Sequence, residues 1–207
     1  MLSISQLQQT EKVHRGMSFT RRVATSDIEA EWVEIQAAQA DPAQFRPLYQ
    51  RYYESIFRFI YKRTADEVVC GDLCAQVFLK ALQKLSTYQF KGVPFSAWLF
   101  RIASNEVTQY FRNQQKKRVV SVESRQLEDT IDELDMPRDE AARSAMLSAL
   151  QDLKPDDLEL IELRFFEQRP FKEIATIRNM TESNAKVKTY RILERLKRMI
   201  EAKLANL

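Results

Sequence analysis

The amino-acid sequence predicts an all-α protein made of two helical domains joined by an acidic linker. The 207 residues include only 3 Gly and 6 Pro, a composition that disfavours turn-rich β folds and suits helices joined by short loops. Apolar residues recur at helical spacing along most of the chain, without any strong two-residue alternation of the kind typical of strands. Between residues 119 and 137 this pattern gives way to acidic and polar residues, which predicts a boundary between two helical sets.

The interruption divides the chain into four parts. Residues 1–25 have no periodic apolar pattern, so we predict a flexible tail there. A first helical domain is predicted over 26–118 and a second over 138–207. The segment 119–137 between them is predicted to be the linker, and a segment of that length reaches at most roughly 60 Å when extended.

Four helices are predicted in the first domain, each with an apolar stripe that can pack against the others. The loop before the fourth helix is predicted over 86–93, because Gly92 and Pro94 interrupt the helical pattern. The fourth helix runs from Phe95 to about Tyr110. The first three begin at sequence signals for helix N-termini, which are Ser26 with Glu29, Asp41 with Pro42, and Thr64 with Glu67.

The second domain has its own start signals. Pro155, followed by two aspartates, opens one helix, and Pro170 opens a short one. Asn179 lies where a tight turn needs a left-handed residue, which Asn tolerates better than most. Thr181 is the predicted N-cap of the last and longest helix.

Charge is distributed unevenly although the net charge is only +3. Basic residues cluster over 101–118 and again over 186–198, while 123–140 holds eight acids and two bases. Two basic helices separated by an acidic segment indicate two contacts to a polyanion, or else two ordinary solvated helix faces.

Few residues are available for metal or redox chemistry. The cysteines are Cys70 and Cys74, and the one histidine is His14, too few nearby ligands for a zinc site. The cysteines lie four residues apart on an apolar stripe, which favours buried structural thiols over a redox pair. No apolar run approaches 18 residues and no signal peptide is recognisable, so we expect a cytoplasmic protein without membrane insertion.

The segment 170–198 is typical of a helix-turn-helix, in which a short helix and a tight turn precede a longer basic helix. An ordinary αα-hairpin shares this spacing and stays an alternative. If the motif binds DNA, the N-terminal half of the second helix faces the major groove. The candidate contacts there are Ser183, Asn184, Lys186, Val187, Lys188, Tyr190 and Arg191.

A second constellation combines aromatic and basic residues in loop 86–93 and the helix that follows. Aromatic rings stack on the bases of single-stranded nucleic acid while cations hold its phosphates. We interpret Phe95, Trp98 and Leu99 as core residues. The candidate contacts are Tyr88, Gln89, Phe90, Lys91, Asn105, Tyr110, Arg112, Asn113, Lys116 and Lys117.

These segments resemble the RNA polymerase sigma factors of the extracytoplasmic-function class, group IV of the sigma-70 family. The run from Pro94 to Asn105, PFSAWLFRIASN, is similar to the signature of sigma region 2. The run FKEIA from Phe171, followed by Thr181-Glu182-Ser183 and Lys186, resembles sigma region 4. The resemblance covers about 26–118 and 138–203, in the family's order and with its linker.

The resemblance implies a subunit without catalytic residues or cofactor that directs core RNA polymerase to promoters. Region 4 would dock on the −35 element and on the polymerase flap, and region 2 would open the −10 element. The clamp coiled coil would be contacted by Asp72, Gln76 and Lys80, although Ala75-Gln76 stands where the family has Gln-Glu. The resemblance also implies an anti-sigma factor as a regulatory partner.

Three other functions are weighed against this one. A helix-turn-helix regulator with a partner-binding helical domain explains 138–203 equally well, but not the Phe95–Asn105 signature before the linker. An all-α enzyme lacks support, because no nucleophile–base pair or phosphate-binding Gly loop is recognisable. A purely structural adaptor does not explain two separate basic faces.

Overall fold

The computed structural model of the chain describes residues 25–114, 124–134, 136–137 and 139–205. All regular elements in these ranges are helical, which confirms the all-α prediction. The predicted tail over 1–25 lies almost wholly outside the described residues. The elements are α1 (Thr25–Ala40), a 3₁₀ turn (Pro42–Phe45), α2 (Arg46–Thr64), α3 (Glu67–Lys84), a 3₁₀ turn (Leu85–Thr87), α4 (Phe95–Gln114), α5 (Ser124–Glu133), α6 (Glu140–Gln151), α7 (Pro155–Ile161), a π-helix (Glu162–Phe166), α8 (Phe171–Arg178) and α9 (Glu182–Leu204).

Helices α1 to α4 form the first helical unit, and their apolar stripes meet in its core. Leu48, Ile56 and Ile60 of α2 are fully buried, as the helical spacing predicts. Phe59 of α2 meets Phe100 of α4 edge to face, with ring centroids 5.0 Å apart. The residues interpreted as core in the region 2 signature are buried or half-buried.

The start of α3 differs from the predicted capping box. Asp66, rather than Thr64, is the N-cap, and its carboxylate accepts a hydrogen bond from the Val69 amide at 3.1 Å. Thr64 is the last residue of α2, and its hydroxyl donates to the Ile60 carbonyl. The chain reverses at Ala65, which has a left-handed conformation (φ 51°), and this turn leaves only Asp66 in position to cap.

Helices α6 to α9 form the second unit around Met146, Leu150, Leu196 and Ile200, all of which are fully buried. The π-helix prolongs α7 by one wide turn, with a hydrogen bond from the Glu167 amide to the Glu162 carbonyl.

A helix also occupies much of the segment predicted as linker. In α5 and the residue after it, Leu127, Ile131 and Leu134 are buried against the second unit, while the acidic side chains between them face outward. The Gln126 amide donates to the Phe166 carbonyl at 2.8 Å and joins α5 to the π-helix. The apolar spacing of i, i+4 and i+7 explains this packing. The domain boundaries themselves stay a prediction.

Candidate functional site

The turn between α8 and α9 has the geometry of a helix-turn-helix. Asn179 adopts a left-handed conformation (φ 53°, ψ 52°), and the Met180 amide donates to the Ala175 carbonyl at 2.9 Å. Thr181 then caps α9, because its hydroxyl accepts the Asn184 amide at 3.2 Å. Both features match the predicted turn, and they leave the first turns of α9 projecting from the domain.

One side of α9 is buried and the other is exposed. Ala185, Thr189 and Leu196 are fully buried, which fixes the rotation of the helix about its axis. Tyr190 is half-buried, with its ring centroid 6.1 Å from that of Phe171. The remaining candidate contacts are exposed, and they are Ser183, Asn184, Lys186, Val187, Lys188 and Arg191.

Several other basic residues of this domain form ion pairs within it. Arg195 lies 2.5 Å from Asp157, Arg178 lies 2.8 Å from Asp156, and Lys203 lies 2.8 Å from Asp152. Of these three cations only Arg195 belongs to the basic run predicted over 186–198, so at least one cation of that run has a partner inside the protein.

The loop after the second 3₁₀ turn is held by polar contacts from α1. The Gln39 amide donates to the carbonyls of Leu85 and Tyr88, at 2.8 and 2.9 Å. The Glu31 carboxylate accepts the Phe95 amide at 2.9 Å and thereby caps α4. Gly92 has a left-handed conformation (φ 64°), which a glycine adopts without strain.

Tyr88 and Phe90 of this loop have different environments. Tyr88 is buried edge to face on Phe95, with centroids 5.1 Å apart, and burial together with Glu31 raises the pKa of its phenol to about 12. Phe90 is 39% exposed and stacks on Trp32 at 5.7 Å. Phe90 therefore offers a ring face to a ligand, whereas Tyr88 supports the loop.

A cavity of about 240 Å³ opens beside the loop, and we call it the junction cavity. It has three cationic residues and no carboxylate in its lining, with an aromatic wall on one side. Its lining is Lys84, Thr87, Tyr88, Gln89, Lys91, Val93, Trp98, Arg101 and Thr176. Lys84, Thr87, Arg101 and Thr176 were not predicted as part of a site, because helical spacing alone does not show which side chains border a loop.

From this cavity an exposed strip continues along α4. Asn105 lies seven residues beyond Trp98 and Arg112 lies seven beyond Asn105, so all three share a face about 10 Å apart. Gln109 also lies on this face, and its amide donates to the Asn113 carbonyl oxygen at 2.9 Å. Tyr110 is turned away and packs on Phe111 at 5.1 Å. Lys116 and Lys117 lie outside the described residues.

Helix α3 carries the predicted polymerase contacts. Asp72 and Gln76 are exposed on one face, and Leu79, which was not predicted as a contact, lies on the same face and is 56% exposed. Lys80 is turned toward α4, where its ammonium lies 2.6 Å from both carboxylate oxygens of Glu106. Lys80 thus has an internal partner.

The cysteines lie on the opposite, buried face of α3. Cys70 and Cys74 are fully buried, and the Cys70 thiol donates to the Phe57 carbonyl at 3.2 Å. Burial raises the pKa of Cys70 to about 11 and that of Cys74 to about 12. Such thiols are unreactive at neutral pH, which fits a structural role.

Two absences apply to the described part of the chain. No three His, Cys, Asp or Glu side chains there group as a metal site. None of the helices described is both long and apolar enough to cross a membrane.

Comparison with known proteins matches both halves of the chain to one family. The model of sigma-70 region 2 matches residues 48–117, and that of sigma-70 region 4 matches 143–196. The ECF RNA polymerase sigma factor BldN of Streptomyces coelicolor is 30% identical over 186 residues, covering 87% of this chain and 70% of the relative. The ECF RNA polymerase sigma factor SigM of Bacillus subtilis is 27% identical over 156 residues, 72% of this chain and 91% of the relative.

The fold has a solved counterpart. CnrH, in complex with the cytosolic domain of CnrY, superposes with a TM-score of 0.54 at 19% identity, covering 82% of this chain and 96% of that one. Region 2 and region 4 of one family both match this chain, in that order, and a relative with 30% identity matches 87% of it. The chain therefore belongs to the ECF RNA polymerase sigma factors, which bind core RNA polymerase and direct it to promoters for transcription initiation.

Proposed function

We propose that α9 reads the −35 element through the exposed residues at its N-terminal end. The single observation that carries this assignment is the capped helix start beside the left-handed turn at Asn179, which projects these side chains into solvent. Lys186, Lys188 and Arg191 provide cations for phosphates or guanine edges, and Val187 provides an apolar contact for a thymine methyl group. Ser183, Asn184 and Tyr190 complete the surface.

Binding of the −10 element is assigned to loop 86–93 and to α4. Phe90, backed by Trp32, provides a stacking face worth about 1–3 kcal/mol per base. The junction cavity adds cations beside that face, and Asn105 and Arg112 continue the strip along α4. Melting a base pair costs a few kcal/mol, so stacking and phosphate contacts together offset the opening of a short segment.

The polymerase contact is assigned to the exposed face of α3. Asp72 and Gln76 supply polar groups for the clamp coiled coil, and Leu79, about one turn beyond Gln76, supplies apolar area that water covers in the free protein. The second unit is assigned to the polymerase flap. The acidic outer face of α5 has the charge of nucleic acid and suits a basic channel.

The remaining assignments concern the whole protein. It performs no bond chemistry, and its output is promoter specificity and strand opening. The four-part division at residues 25, 118 and 137 describes its domains. An anti-sigma factor that covers the polymerase- and DNA-binding faces is the proposed regulator. Pull-down of core polymerase with the full chain separates this function from that of a helix-turn-helix regulator, which would leave core polymerase unbound.

The −35 assignment is tested by Lys186→Ala, Lys188→Ala and Arg191→Ala in duplex binding across a range of salt concentrations. Each variant is expected to weaken binding, and loss of a phosphate contact lowers the salt slope by about one. Lys154→Ala removes an exposed cation of the same domain that is not among the predicted DNA contacts, and serves as the control. Unchanged affinity and slope in all three variants would refute the docking.

The −10 assignment is tested by Phe90→Ala and Asn105→Ala in holoenzyme on promoter DNA. Both are expected to reduce permanganate reactivity of the melted thymines more than they reduce duplex binding. Tyr61→Ala, which removes an aromatic ring with similar exposure from α2, is the matched control. Wild-type reactivity in both loop and helix variants would contradict the assignment.

A further inference from the structure

The junction cavity lies where the two units meet, and both units contribute to its lining. Helix α8 of the second unit packs along α4 of the first. Thr176 of α8 lines the cavity together with Trp98 and Arg101 of α4. The rest of the lining comes from the end of α3, the second 3₁₀ turn and loop 86–93. A ligand in this cavity therefore contacts both units at once.

Lys172 of α8 adds a cation at the rim of the cavity. Its ammonium lies 3.4 Å from the position that a Cβ at Gly92 would occupy. Lys91 and Val93, the two neighbours of Gly92, both line the cavity, so the ammonium lies beside the lining. Lys172 and Thr176 are four residues apart and share one face of α8. The second unit thus presents an ammonium and a hydroxyl group to the same space.

The basic residues around the cavity have no acidic partner in the protein. Among the residues that the structure describes, no carboxylate forms an ion pair with any of these four cations, and the four are Lys84, Lys91, Arg101 and Lys172. By contrast, the ammonium of Lys80, one turn before Lys84 on α3, lies 2.6 Å from Glu106. Positive charges that border one space repel each other, and a multivalent anion between them replaces this repulsion by attraction.

The remaining lining indicates which anion fits. Trp98 is half-buried and lines the cavity beside Tyr88, with ring centroids 4.9 Å apart, and these two rings form an aromatic wall. Thr87, Gln89 and Thr176 add neutral hydrogen-bonding groups. The volume of about 240 Å³ is smaller than the roughly 300–1,000 Å³ of pockets that bury a whole drug-sized ligand. The cavity therefore suits a short chain of phosphates and one face of an attached ring, with the rest of the ligand in solvent.

We propose that the junction cavity binds a nucleoside diphosphate, or a nucleoside with a longer phosphate chain, with its phosphates among the four cations and its base against Trp98. Adjacent phosphates concentrate negative charge, whereas the phosphates of DNA each carry one charge and are separated by sugars. This activity goes beyond promoter recognition. It does not depend on the −10 assignment, because Lys172 and Thr176 lie outside the predicted DNA contacts.

Titration calorimetry of the full chain with adenosine diphosphate tests the proposal at about 0.15 M salt. Adenosine diphosphate should bind, and either purine serves as a probe because the base stays partly in solvent. Pyrophosphate lacks the base and should bind at least about fivefold more weakly, since stacking on the aromatic wall is lost. Adenosine lacks the charge and should not bind detectably. Absence of binding, or equal affinity for adenosine diphosphate and either partial ligand, overturns the proposal.

Substitutions in both units test whether the ligand contacts both. Lys172→Ala and Arg101→Ala should each raise the Kd for adenosine diphosphate at least about threefold, as expected for a partly exposed ion pair. Lys172→Arg keeps the charge and should retain most of the affinity. The matched controls are Lys154→Ala, an exposed cation of the second unit, and Arg58→Ala, a 70% exposed one of the first. Parent affinity in Lys172→Ala would show that the second unit makes no contact, which overturns the proposal.

The fluorescence of Trp98 reports where the ligand lies. The chain has two tryptophans, so Trp32→Phe leaves Trp98 as its one indole. Adenosine diphosphate should quench this emission with the same midpoint as the heat of binding. Heat without quenching places the ligand elsewhere and overturns the proposal.

A short single-stranded oligonucleotide without a terminal phosphate tests whether DNA is the ligand instead. Its affinity should be the same for the parent and Lys172→Ala proteins. If Lys172→Ala weakens the oligonucleotide and adenosine diphosphate by the same factor, the cavity is a site for DNA phosphates and the proposal fails. Promoter opening by holoenzyme is measured separately, so failure of this site and failure of the −10 assignment are distinguishable.

Discussion

The Lys80–Glu106 pair allows a direct test of how one predicted polymerase contact acts. Lys80 connects α3 to α4, with its ammonium 2.6 Å from both oxygens of Glu106, whose side chain is only 10% exposed. Lys80→Met keeps the aliphatic stem and removes the charge. The carboxylate of Glu106 then stays in a poorly hydrated position without its partner, so the first unit should be destabilised.

The magnitude follows from the exposure of the two groups. Hydrogen bonds to charged groups contribute about 1.5–3 kcal/mol, whereas exposed ion pairs contribute about 0–1 kcal/mol. Since the Lys80 side chain is 45% exposed, we expect a loss between these limits, about 1.5 kcal/mol. For a chain of this length that corresponds to a decrease in Tm of ~3–6 °C.

Urea unfolding followed by circular dichroism measures this loss, with Lys84→Met on the same helix as the control. Glu106→Gln in the Lys80→Met background removes the unpaired charge and should restore most of the stability. The double variant also separates the two roles of Lys80. Restored stability with normal core-polymerase binding supports the internal role, and restored stability with weakened binding supports a contact to the clamp. Lys80→Met as stable as the parent protein would refute the argument from burial.

Four further tests concern local features of the fold. Thr181→Ala removes the cap of α9 and should lower the free energy of unfolding by about 1 kcal/mol, measured by urea denaturation with Thr181→Ser as the control. Cys70 and Cys74 should resist iodoacetamide at pH 8 and react once urea unfolds the chain, and rapid alkylation of the native protein would contradict their burial. Because burial raises the pKa of the Cys70 thiol to about 11 and that of the Cys74 thiol to about 12, the contribution of these thiols to stability should be constant below pH 9 and be lost as pH rises toward 12. Ile131→Ala should cost about 2–4 kcal/mol in the second unit, since α5 packs there, and hydrogen exchange over 124–134 should increase; unchanged exchange would show that α5 does not pack.

The features that were predictable from sequence are those set by local chemistry. The left-handed turn at Asn179 and the cap at Thr181 depend on side chains within a few residues of the backbone they satisfy. The helix start at Pro155 is of the same kind. Apolar residues that recur on one face of a helix likewise indicate directly which positions are buried. Leu48 and Ile60 were recognisable as core positions for this reason.

The features that were not predictable depend on distant parts of the chain. The capping box at Thr64 fits the local pattern, but the turn at Ala65 moves the cap to Asp66. The many acidic residues of α5 led to the prediction of a linker in this segment. Ile131 is buried because α5 packs against the second unit, which the local sequence does not indicate. Trp32 supports Phe90 from a helix almost sixty residues earlier, and no sequence pattern connects the two.

The interface between the two units combines buried ionic contacts with apolar packing. Arg63, Glu159 and Glu162 are buried polar groups there, and each contacts a residue of the other unit. Phe100 and Ile174 belong to one hydrophobic core that is continuous across both units. The ionic groups lose their hydration when the units pack, and this desolvation cost offsets much of their mutual attraction. Replacing Arg63 and Glu162 together by leucine should therefore leave the free energy of unfolding unchanged or raise it, whereas Arg63→Leu alone should lower it by about 3–5 kcal/mol because Glu162 is left buried and unpaired. Equal losses in the two variants, measured by urea unfolding, would contradict this argument.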